Sequence, residues 1–480
     1  MKLNVLDAIC GYGKSVYFTE SITSSPDDYS VVMVPSLAEV GRYTKECNKN
    51  LPEDKQLTAA STEEHDTKSE HIETLLTEKK SFVCTHHMYE RITPAMCSLA
   101  KKMHLKRGKK VLYLDETIEL VGVSKMVSAE DMKLLHKRDK YIDVNETTGL
   151  VSWVSKHVLS GYEHVKNACD NGQIYYLADK YIVFDVPVDW LLAFDEVYVA
   201  TYRFKYSPMY HYLKSNGIEV NFIDSGADRK NKLKDQYRKR IKVLDDITIK
   251  RHRLSKSGYD YDPSGVKREI NRCVQEAMNQ TDTPLDKTLV TFYKHFDGKN
   301  QLKYWFEKLK IGEKINGPFI EMQKGEKVEV YKSCYIPWNT IGTNDYRDKE
   351  LMIFNVHPHI NPGVLQYLSE RGQSLDKKGW ALNACIQWLF RGCVRDHEAG
   401  TMYIAIPDKE LREAFKMWLQ MDEVESKTPV VDIGCSKLRA RKYQDFKKLV
   451  NQNPQCKVYS YEEYLEHGGA KLKQMAKKAA

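Results

Sequence analysis

The sequence predicts an α/β fold in which two parallel sheets follow each other along the chain. Short apolar runs recur, and each is followed by a turn and a helical stretch, which is the pattern of strand–helix–strand units. These units form two series, separated by a basic stretch at residues 229–256. The chain has 480 residues, 42% of them hydrophobic and 29% charged, which suits two or three globular domains with their own cores.

The first series predicts a domain over residues 1–225. About eighty residues separate its last two candidate strands, which is more than a simple crossover needs. We therefore expect an inserted subdomain at about residues 123–185. The candidate strands lie at residues 3–9, 31–34, 81–85, 110–114 and 196–200.

The second series predicts a domain over residues 226–425. A small basic C-terminal extension, residues 426–480, completes the predicted organisation. The candidate strands of the second domain lie at residues 289–293, 351–354 and 402–406, and its candidate helices at residues 302–309 and 380–394.

Charge and cysteine usage limit the class of protein. The 74 lysines and arginines exceed the 66 acidic residues, and the formal net charge of +8 suits a phosphate-bearing partner without requiring one. The 11 cysteines contain no CxxC pair, so we expect free thiols and neither a zinc site nor a disulfide scaffold. No apolar run approaches the ~20 residues that span a bilayer, and the N-terminus lacks a signal-peptide pattern. We expect a cytoplasmic protein with no membrane partner.

A glycine-rich loop after the first predicted strand carries the strongest chemical signal. Residues 8–15 read Ala-Ile-Cys-Gly-Tyr-Gly-Lys-Ser and precede a helical stretch, as a phosphate-binding loop requires. In such a loop backbone N–H groups turn toward phosphate oxygens, the lysine reaches the β- and γ-phosphates, and the serine hydroxyl binds Mg²⁺. Ala8 replaces the usual first glycine, and a tight turn that happens to contain Gly-Lys-Ser is the alternative. The predicted ATP-binding residues are Gly11, Tyr12, Gly13, Lys14 and Ser15, of which Lys14 is also catalytic and Ser15 a metal ligand.

An acidic pair at the end of the fourth predicted strand supplies what such a loop needs for hydrolysis. We expect Asp115 to bind Mg²⁺ through water and Glu116 to polarise the attacking water. Asp195 and Glu196 form a rival pair with similar flanking residues. They precede a strand instead of ending one, so the sequence favours Asp115 and Glu116.

With these motifs the chain resembles the superfamily 2 helicases of the DEAD/DEAH-like kind, and most of it can be laid against their motif order. The resemblance implies two RecA-like domains in tandem, with Mg-ATP in the cleft between them and a nucleic-acid strand across both. It also implies that Ala200 and Thr201 couple the nucleotide site to the nucleic-acid groove. The implied nucleic-acid contacts are Pro35, Ser36, Thr85 and His86 in the first domain and Thr291 and Phe292 in the second.

Residues 339–346 resemble the fifth helicase motif in the form found in replication helicases of tailed bacteriophages. The resemblance implies that Gly342, Thr343 and Asn344 lie near the γ-phosphate and that Thr343 also contacts nucleic acid. A polar turn before a strand is the alternative interpretation.

A pair of arginines in an apolar segment near the end of the second domain completes the motifs. Gln387, Arg391 and Arg395 are spaced four apart, so a helix over residues 380–394 would carry all three on one face. Guanidinium groups on a mostly buried helix need anionic partners, either structural carboxylates or a γ-phosphate across a domain cleft. We expect Arg391 and Arg395 to act as catalytic arginine fingers of their own chain, with Gln387 beside them.

Together these features predict a helicase or translocase that couples ATP hydrolysis to movement along single-stranded DNA and to strand separation. The likeness to phage enzymes suggests phage DNA replication or recombination in the cytoplasm of a host cell. We expect a monomer that binds single-stranded or forked DNA. RNA stays open as a substrate, and other replication proteins are candidate partners. The alternatives are a translocase without unwinding activity, a ring-forming P-loop ATPase of another class, such as a DNA-packaging motor or switch, and a non-catalytic nucleotide-binding module.

Overall fold

The structure is a computed structural model, and it describes residues 1–60, 67–124, 127–293, 316–323, 326–340, 345–396 and 400–423, with the backbone alone at 316–323 and 326–333. These residues belong to one compact unit, Met1–Thr428. The second unit, Pro429–Ala480, lies outside the described residues, as does the predicted C-terminal extension. No helix in the described part of the chain is long and apolar enough to cross a membrane.

The strands of the N-terminal half form one large sheet, one small sheet and a hairpin. In chain order they are β1 (Lys2–Asp7), β2 (Tyr29–Val34), β3 (Thr58–Ala59), β4 (Phe82–Thr85), β5 (Lys110–Asp115), β6 (Val121–Val123), β7 (Ile142–Val144), β8 (Val151–Trp153), β9 (Ile174–Leu177), β10 (Tyr181–Asp185), β11 (Glu196–Thr201) and β12 (Val220–Phe222). The large sheet has the order β12-β1-β11-β5-β2-β4-β3, and all its neighbouring strands run parallel.

Helices connect these strands. In chain order they are α1 (Lys14–Ser24), α2 (Leu37–Asn48), α3 (Lys68–Glu78), α4 (Pro94–Lys102), α5 (Ala129–Lys133), α6 (Glu163–Asp170), α7 (Asp189–Leu192) and α8 (Pro208–Ser215). Every residue of β2 is buried, because helices and loops cover both faces of a parallel sheet. A strand that is covered on both faces needs apolar side chains on both, so β2 appears in the sequence as a continuous apolar run.

The stretch predicted to be an insertion in the first domain contributes no strand to the large sheet. Strands β6, β10 and β9 form a separate antiparallel sheet, and β7 pairs with β8 as a hairpin. A separate hydrophobic cluster, which includes Met132, Val151, Val165 and Ile174, packs around these strands. The insertion therefore has a core of its own beside the large sheet.

A second parallel sheet follows along the chain and confirms the predicted α/β class with two sheets in tandem. Its strand order is β13-β18-β17-β14, and β15 pairs with β16 as an antiparallel hairpin. The strands are β13 (Ile241–Val243), β14 (Thr288–Thr291), β15 (Asn316–Gln323), β16 (Glu326–Ser333), β17 (Leu351–Phe354) and β18 (Met402–Ala405). The helices are α9 (Ala227–Arg240), α10 (Lys256–Tyr261), α11 (Pro263–Thr281), α12 (Pro362–Glu370), α13 (Lys377–Leu389) and α14 (Lys409–Gln420).

The helix predicted over residues 380–394 ends earlier than expected. Helix α13 stops at Leu389, and Cys393 donates its backbone N–H to Lys349 O at 2.9 Å instead of extending the helix. Gly392 packs closely against strands β17 and β18, because an added Cβ would be 2.9 Å from the sulfur atoms of Met352 and Met402. The predicted helix at 302–309 lies outside the described residues.

The basic stretch at 229–256 begins as helix α9, and it is not solvated along its whole length. The Lys234 side chain is only 1% exposed, and its Nζ forms an ion pair with Glu423 at 3.1 Å. One turn further on, the Tyr237 hydroxyl donates a hydrogen bond to Cys10 O at 2.6 Å. Helix α9 therefore packs directly against the glycine-rich loop.

Candidate nucleotide-binding and catalytic site

The strand order of the large sheet collects the predicted motifs at one edge. In the parallel register, Asp7 of β1 lies opposite Thr201 of β11, and Ala200 lies opposite Asp115 of β5. The carboxyl ends of parallel strands are where open α/β sheets bind their ligands. The glycine-rich loop after β1, the acidic pair at the end of β5 and the Ala200-Thr201 end of β11 therefore share one site.

The two glycines of the loop are held in a backbone conformation that other residues rarely adopt. Gly11 has φ 83° and Gly13 has φ 95°, both in the left-handed region. A Cβ at Gly11 would overlap the Tyr237 hydroxyl of α9, and one at Gly13 would lie 3.9 Å from the Arg229 guanidinium. Backbone conformation requires both glycines, and at Gly11 the close approach of α9 requires the glycine as well.

Lys14 and Ser15 occupy the first turn of α1, directly after the loop. The Lys14 side chain is buried, and its Nζ donates a hydrogen bond to Ala8 O at 2.8 Å. The lysine is thus folded back over the loop whose N–H groups would receive phosphate. Because a helix N-terminus favours anions, this arrangement suits a phosphate group bridging the loop and Lys14.

Asp115 lies at the centre of a small hydrogen-bond network. Its Oδ2 accepts hydrogen bonds from Ser15 Oγ at 3.2 Å and from the Tyr43 hydroxyl at 2.9 Å. Burial raises the pKa of Asp115 to about 6, and the negative charge of Glu116 is the second cause of this increase. The hydrogen bond from Tyr43 acts in the opposite direction.

The Ser15 and Asp115 oxygens are of the type that Mg²⁺ prefers, and they lie close enough to serve one ion. Within the described residues there is no group of three or more His, Cys, Asp or Glu side chains that could hold a metal ion. A magnesium ion here would therefore take its remaining ligands from phosphate oxygens and water.

Glu116 is held in place by the neighbouring strand. Its backbone has φ 77°, an unusual value for a residue other than glycine, and its N–H donates to Ala200 O at 2.9 Å. The fully buried Thr201 donates a hydrogen bond from Oγ1 to Glu116 Oε2 at 2.8 Å. The end of β11 thus fixes both the backbone and the carboxylate of Glu116.

The rival acidic pair lies at the opposite edge of the sheet. Asp195 Oδ2 accepts a hydrogen bond from the backbone N–H of Lys110 at 2.8 Å, and Glu196 forms an ion pair with Lys109 at 2.8 Å. These contacts are made where β5 and β11 begin, at the amino edge. Asp195 and Glu196 are therefore structural and are distant from the glycine-rich loop.

Side chains from helix α13 and from the segment after it also line the site. Gln387, Arg391 and Arg395 line the same cleft, of about 400 Å³, as the glycine-rich loop and the acidic pair. They do not share a helix face, because α13 ends at Leu389 and Arg395 lies in a short helical turn, Cys393–Arg395. The prediction of one continuous helix is wrong in this respect, yet the predicted meeting of these side chains with the loop is observed.

Arg391 is the more buried of the two arginines, with 6% of its surface exposed. Its Nη2 donates a hydrogen bond to the backbone oxygen of Thr340. Burial lowers the pKa of the Arg391 guanidinium, and among nearby charges Arg395 lowers it further while Glu116 opposes the shift. A desolvated cation at a cleft wall is placed to receive an anion.

The cleft also has charged lining residues that were not identified from the sequence, among them Arg347 and Arg42. Arg347, which is exposed, lines the cleft beside Arg391. Arg42 contacts Glu39 at 2.8 Å and approaches Asp115 Oδ2 at 3.9 Å, and Tyr43 donates to that same oxygen. The spacing of Glu39 and Arg42 predicts an ion pair along a helix, but nothing in the sequence indicates that α2 faces the nucleotide site.

The predicted nucleic-acid contacts in the first domain divide into two groups. Pro35, Ser36 and Thr85 are partly exposed where β2 and β4 end, and the Ser36 side chain caps α2, so their contact with nucleic acid stays a prediction. His86 differs, because burial lowers its pKa to about 4 and its Nε2 is buried. Burial therefore favours the neutral ring with Nε2 turned inward, but the residue as a whole is partly exposed, so the predicted contact between His86 and phosphate or sugar stays a prediction.

The contacts predicted in the second domain involve two buried side chains, so a contact there stays a prediction for the main chain alone. Thr291 is 0% exposed, and Phe292 is 2% exposed and packs on the Tyr335 ring at 4.6 Å between centroids. The side chains of Thr291 and Phe292 therefore belong to the core and cannot reach a nucleic acid. Gly342, Thr343 and Asn344 lie outside the described residues.

Comparison with known proteins places a family match on the second half of the chain. Residues 232–419 match the family described as the YonV C-terminal Rossmann-like domain. Over 439 residues the chain is 22% identical to the SPbeta prophage-derived uncharacterized protein YonV of Bacillus subtilis (strain 168), covering 87% of this chain and 99% of that protein. The family match spans the second parallel sheet, from β13 to β18.

Two solved structures are similar to this chain at low identity. One is a single-residue variant of S. cerevisiae Dbp5 bound to RNA and ADP BeF3, with 10% identity and a TM-score of 0.39, covering 94% of this chain and 88% of that chain. The other is the DUF1998 helicase MrfA bound to DNA and AMPPNP, with 9% identity and a TM-score of 0.34, covering 88% of this chain and 49% of that chain.

Proposed function

We propose that this protein is a nucleic-acid-dependent ATPase that moves along single-stranded DNA and separates strands. The observation that carries the proposal is the meeting of two parallel-sheet domains at one cleft. The first domain contributes the glycine-rich loop with Asp115 and Glu116, and the second contributes Arg391 and Arg395. Such a site is complete only when both domains contact the same nucleotide, so hydrolysis can be linked to domain movement.

The roles of the residues follow from their positions. Lys14 would exchange its hydrogen bond to Ala8 O for one to the β- and γ-phosphates, which then lie against the loop N–H groups. Glu116, oriented by Thr201, would accept a proton from the attacking water. Mg²⁺, held by Ser15 and Asp115, would neutralise charge on the phosphates.

Arg391 and Arg395 would stabilise the charge that develops on the γ-phosphate during transfer to water. Both arginines enter the cleft of their own chain. This favours the present proposal over a ring-forming P-loop ATPase that takes its arginine finger from a neighbouring subunit. The prophage origin of the YonV relative agrees with a role in phage DNA metabolism.

The proposal is tested by ATP turnover with no nucleic acid, single-stranded DNA, duplex DNA and RNA. We expect stimulation by single-stranded nucleic acid, loss of turnover in Lys14→Ala, and no loss in the matched control Lys80→Ala, whose side chain is 61% exposed. Forked substrates then separate a helicase from a translocase without unwinding activity. The proposal would be ruled out if none of the nucleic acids changed the rate of ATP turnover, or if Lys14→Ala hydrolysed ATP at the wild-type rate.

A further inference from the structure

Four partly exposed aromatic side chains form a row where the two sheets meet. They are Tyr206, Trp380, Trp338 and Tyr293, and we refer to them as the aromatic row. The ring centroids of Tyr293 and Trp338 lie 6.2 Å apart, and those of Trp338 and Trp380 lie 6.0 Å apart. Tyr206 packs against the first turns of α13, since a Cβ at Gly379 would overlap its ring.

The aromatic row lies at the carboxyl edges of both sheets. Tyr206 follows β11 of the first sheet, and Tyr293 follows β14 of the second. Trp380 lies near the start of α13, and Gln387 of the nucleotide cleft lies seven residues further along the same helix. At 1.5 Å per residue this separation is about 10 Å, so the row lies beside the nucleotide cleft and outside it.

The exposure of the row contrasts with that of its neighbours. Phe292 and Tyr335 are 2% and 5% exposed and fill the core, whereas Tyr293 and Trp338 are partly exposed residues. The Tyr293 hydroxyl donates to His357 O at 3.0 Å, which fixes the ring. Rings that are fixed and partly exposed suit stacking on a flat ligand.

Cationic groups lie along the same edge. The Arg203 guanidinium is 4.1 Å from the centroid of the Tyr206 ring, and Lys377 is exposed at the start of α13. Aromatic rings that stack on bases, together with cations that contact phosphates, are what proteins use to bind single strands. In a duplex the bases are already paired and stacked, so such a row favours a single strand.

We propose that the aromatic row stacks on the bases of single-stranded nucleic acid as the strand crosses from one sheet to the other. The proposal rests on the proposed function and assigns the contact in the second domain to Tyr293, Trp338 and Trp380 in place of Thr291 and Phe292. Because every base has a flat face, the contact is tolerant of sequence.

The test compares two labelled strands of equal length and charge, oligo-dT and an abasic strand, by fluorescence anisotropy with the full-length protein at fixed salt. The variants are Trp338→Ala, Trp338→Phe and Trp380→Phe. Trp153→Ala in the insertion, whose ring packs on Tyr141 at 5.7 Å, and Tyr261→Ala, which is 92% exposed, are controls.

We expect wild type to bind oligo-dT more tightly than the abasic strand, and Trp338→Ala to lose roughly tenfold in affinity for oligo-dT alone. The phenylalanine variants, which keep a ring, should retain most of the affinity, and the controls should behave as wild type. Equal affinity of wild type for both strands, or equal losses on both strands in Trp338→Ala, would overturn the stacking role while leaving the proposed function intact. If wild type binds neither strand and its ATP turnover ignores nucleic acid, the proposed function itself fails.

Discussion

Thr201 Oγ1 donates a hydrogen bond to Glu116 Oε2 at 2.8 Å, across the pairing of β11 with β5. Thr201 is fully buried, whereas Glu116 is partly exposed and lines the cleft, so a fixed donor in the core holds a carboxylate that faces the cleft. In the proposed mechanism this hydrogen bond aims Glu116 at the attacking water. The residue next to Thr201 is Tyr202, whose hydroxyl donates to Glu423 and accepts from Trp418 Nε1, so the same strand end also contacts the C-terminal part of the described chain.

Removing the Thr201 hydroxyl should slow hydrolysis without preventing nucleotide binding. We expect Thr201→Val to lower kcat by about tenfold, since a hydrogen bond to a charged group contributes ~1.5 kcal/mol or more. The KM for ATP should change little, because Lys14 and the loop are intact. Steady-state ATP turnover measures both. Thr288→Val is the matched control, because it removes a buried threonine hydrogen bond, to Pro284 O at 2.9 Å, away from the cleft. Equal losses in the two variants would refute the positioning role.

We expect that Gly11 cannot be replaced without loss of nucleotide binding. Its φ of 83° disfavours other residues, and the Tyr237 hydroxyl occupies the space that a Cβ would need. Gly11→Ala places a Cβ against the Tyr237 hydroxyl, so we expect the loop to move and the affinity for an ATP analogue to fall. Gly161→Ala is the control, since Gly161 has φ 88° but nothing within 4 Å of its Cβ position. Both should lose about 1 kcal/mol of stability. Adding Tyr237→Phe to Gly11→Ala should restore part of the analogue binding; if it restores none, the clash is not the cause.

Removing one partner of the ion pair between Lys234 and Glu423 should lower the stability of the fold. Glu423 Oε1 accepts from Lys234 Nζ at 3.1 Å and from the Tyr202 hydroxyl at 2.6 Å. Glu423→Gln leaves the Lys234 charge buried, so we expect the free energy of unfolding to fall by about 3 kcal/mol. The double variant Lys234→Met, Glu423→Gln should regain much of this stability. Urea denaturation of both variants is the measurement, and a double variant no more stable than the single one would contradict the explanation.

His252 should make one part of the stability depend on pH. Burial lowers the pKa of His252, but its hydrogen bonds to Glu269 and Asp262, each at 3.0 Å, outweigh burial and raise the pKa above 6.5. A raised pKa means that the protonated imidazole stabilises the fold below pH 6.5 and that this stabilisation is lost as pH rises through the folded-state pKa. The stability difference between wild type and His252→Gln should therefore shrink as the pH rises above 6.5 and through the folded-state pKa. A pH-independent difference in thermal midpoint would contradict this, and His104→Gln, at an exposed histidine, is the control.

The parts of the site that the sequence predicts are those encoded in short contiguous segments. The loop at residues 8–15 and the pair Asp115-Glu116 each carry their chemistry within a few residues of a strand end. The burial of Thr291 and of the His86 Nε2 atom is decided by neighbouring elements instead. The end of α13 is likewise set by the contact of Cys393 with Lys349 O. Arg42 and Arg347 reach the cleft only through the packing of α2 and of the chain before β17. Sequence periodicity contains no information on such distant contacts.

The central claim is that Arg391 of the second domain completes the hydrolysis site of the first. It is tested most directly by single-turnover hydrolysis and ATP-analogue binding in Arg391→Ala, beside Arg138→Ala, whose side chain is 76% exposed. We predict that Arg391→Ala binds the analogue but hydrolyses ATP about a thousandfold more slowly, as expected for an arginine finger. Arg138→Ala should match wild type in both measurements. Hydrolysis by folded Arg391→Ala at the wild-type rate would contradict the account.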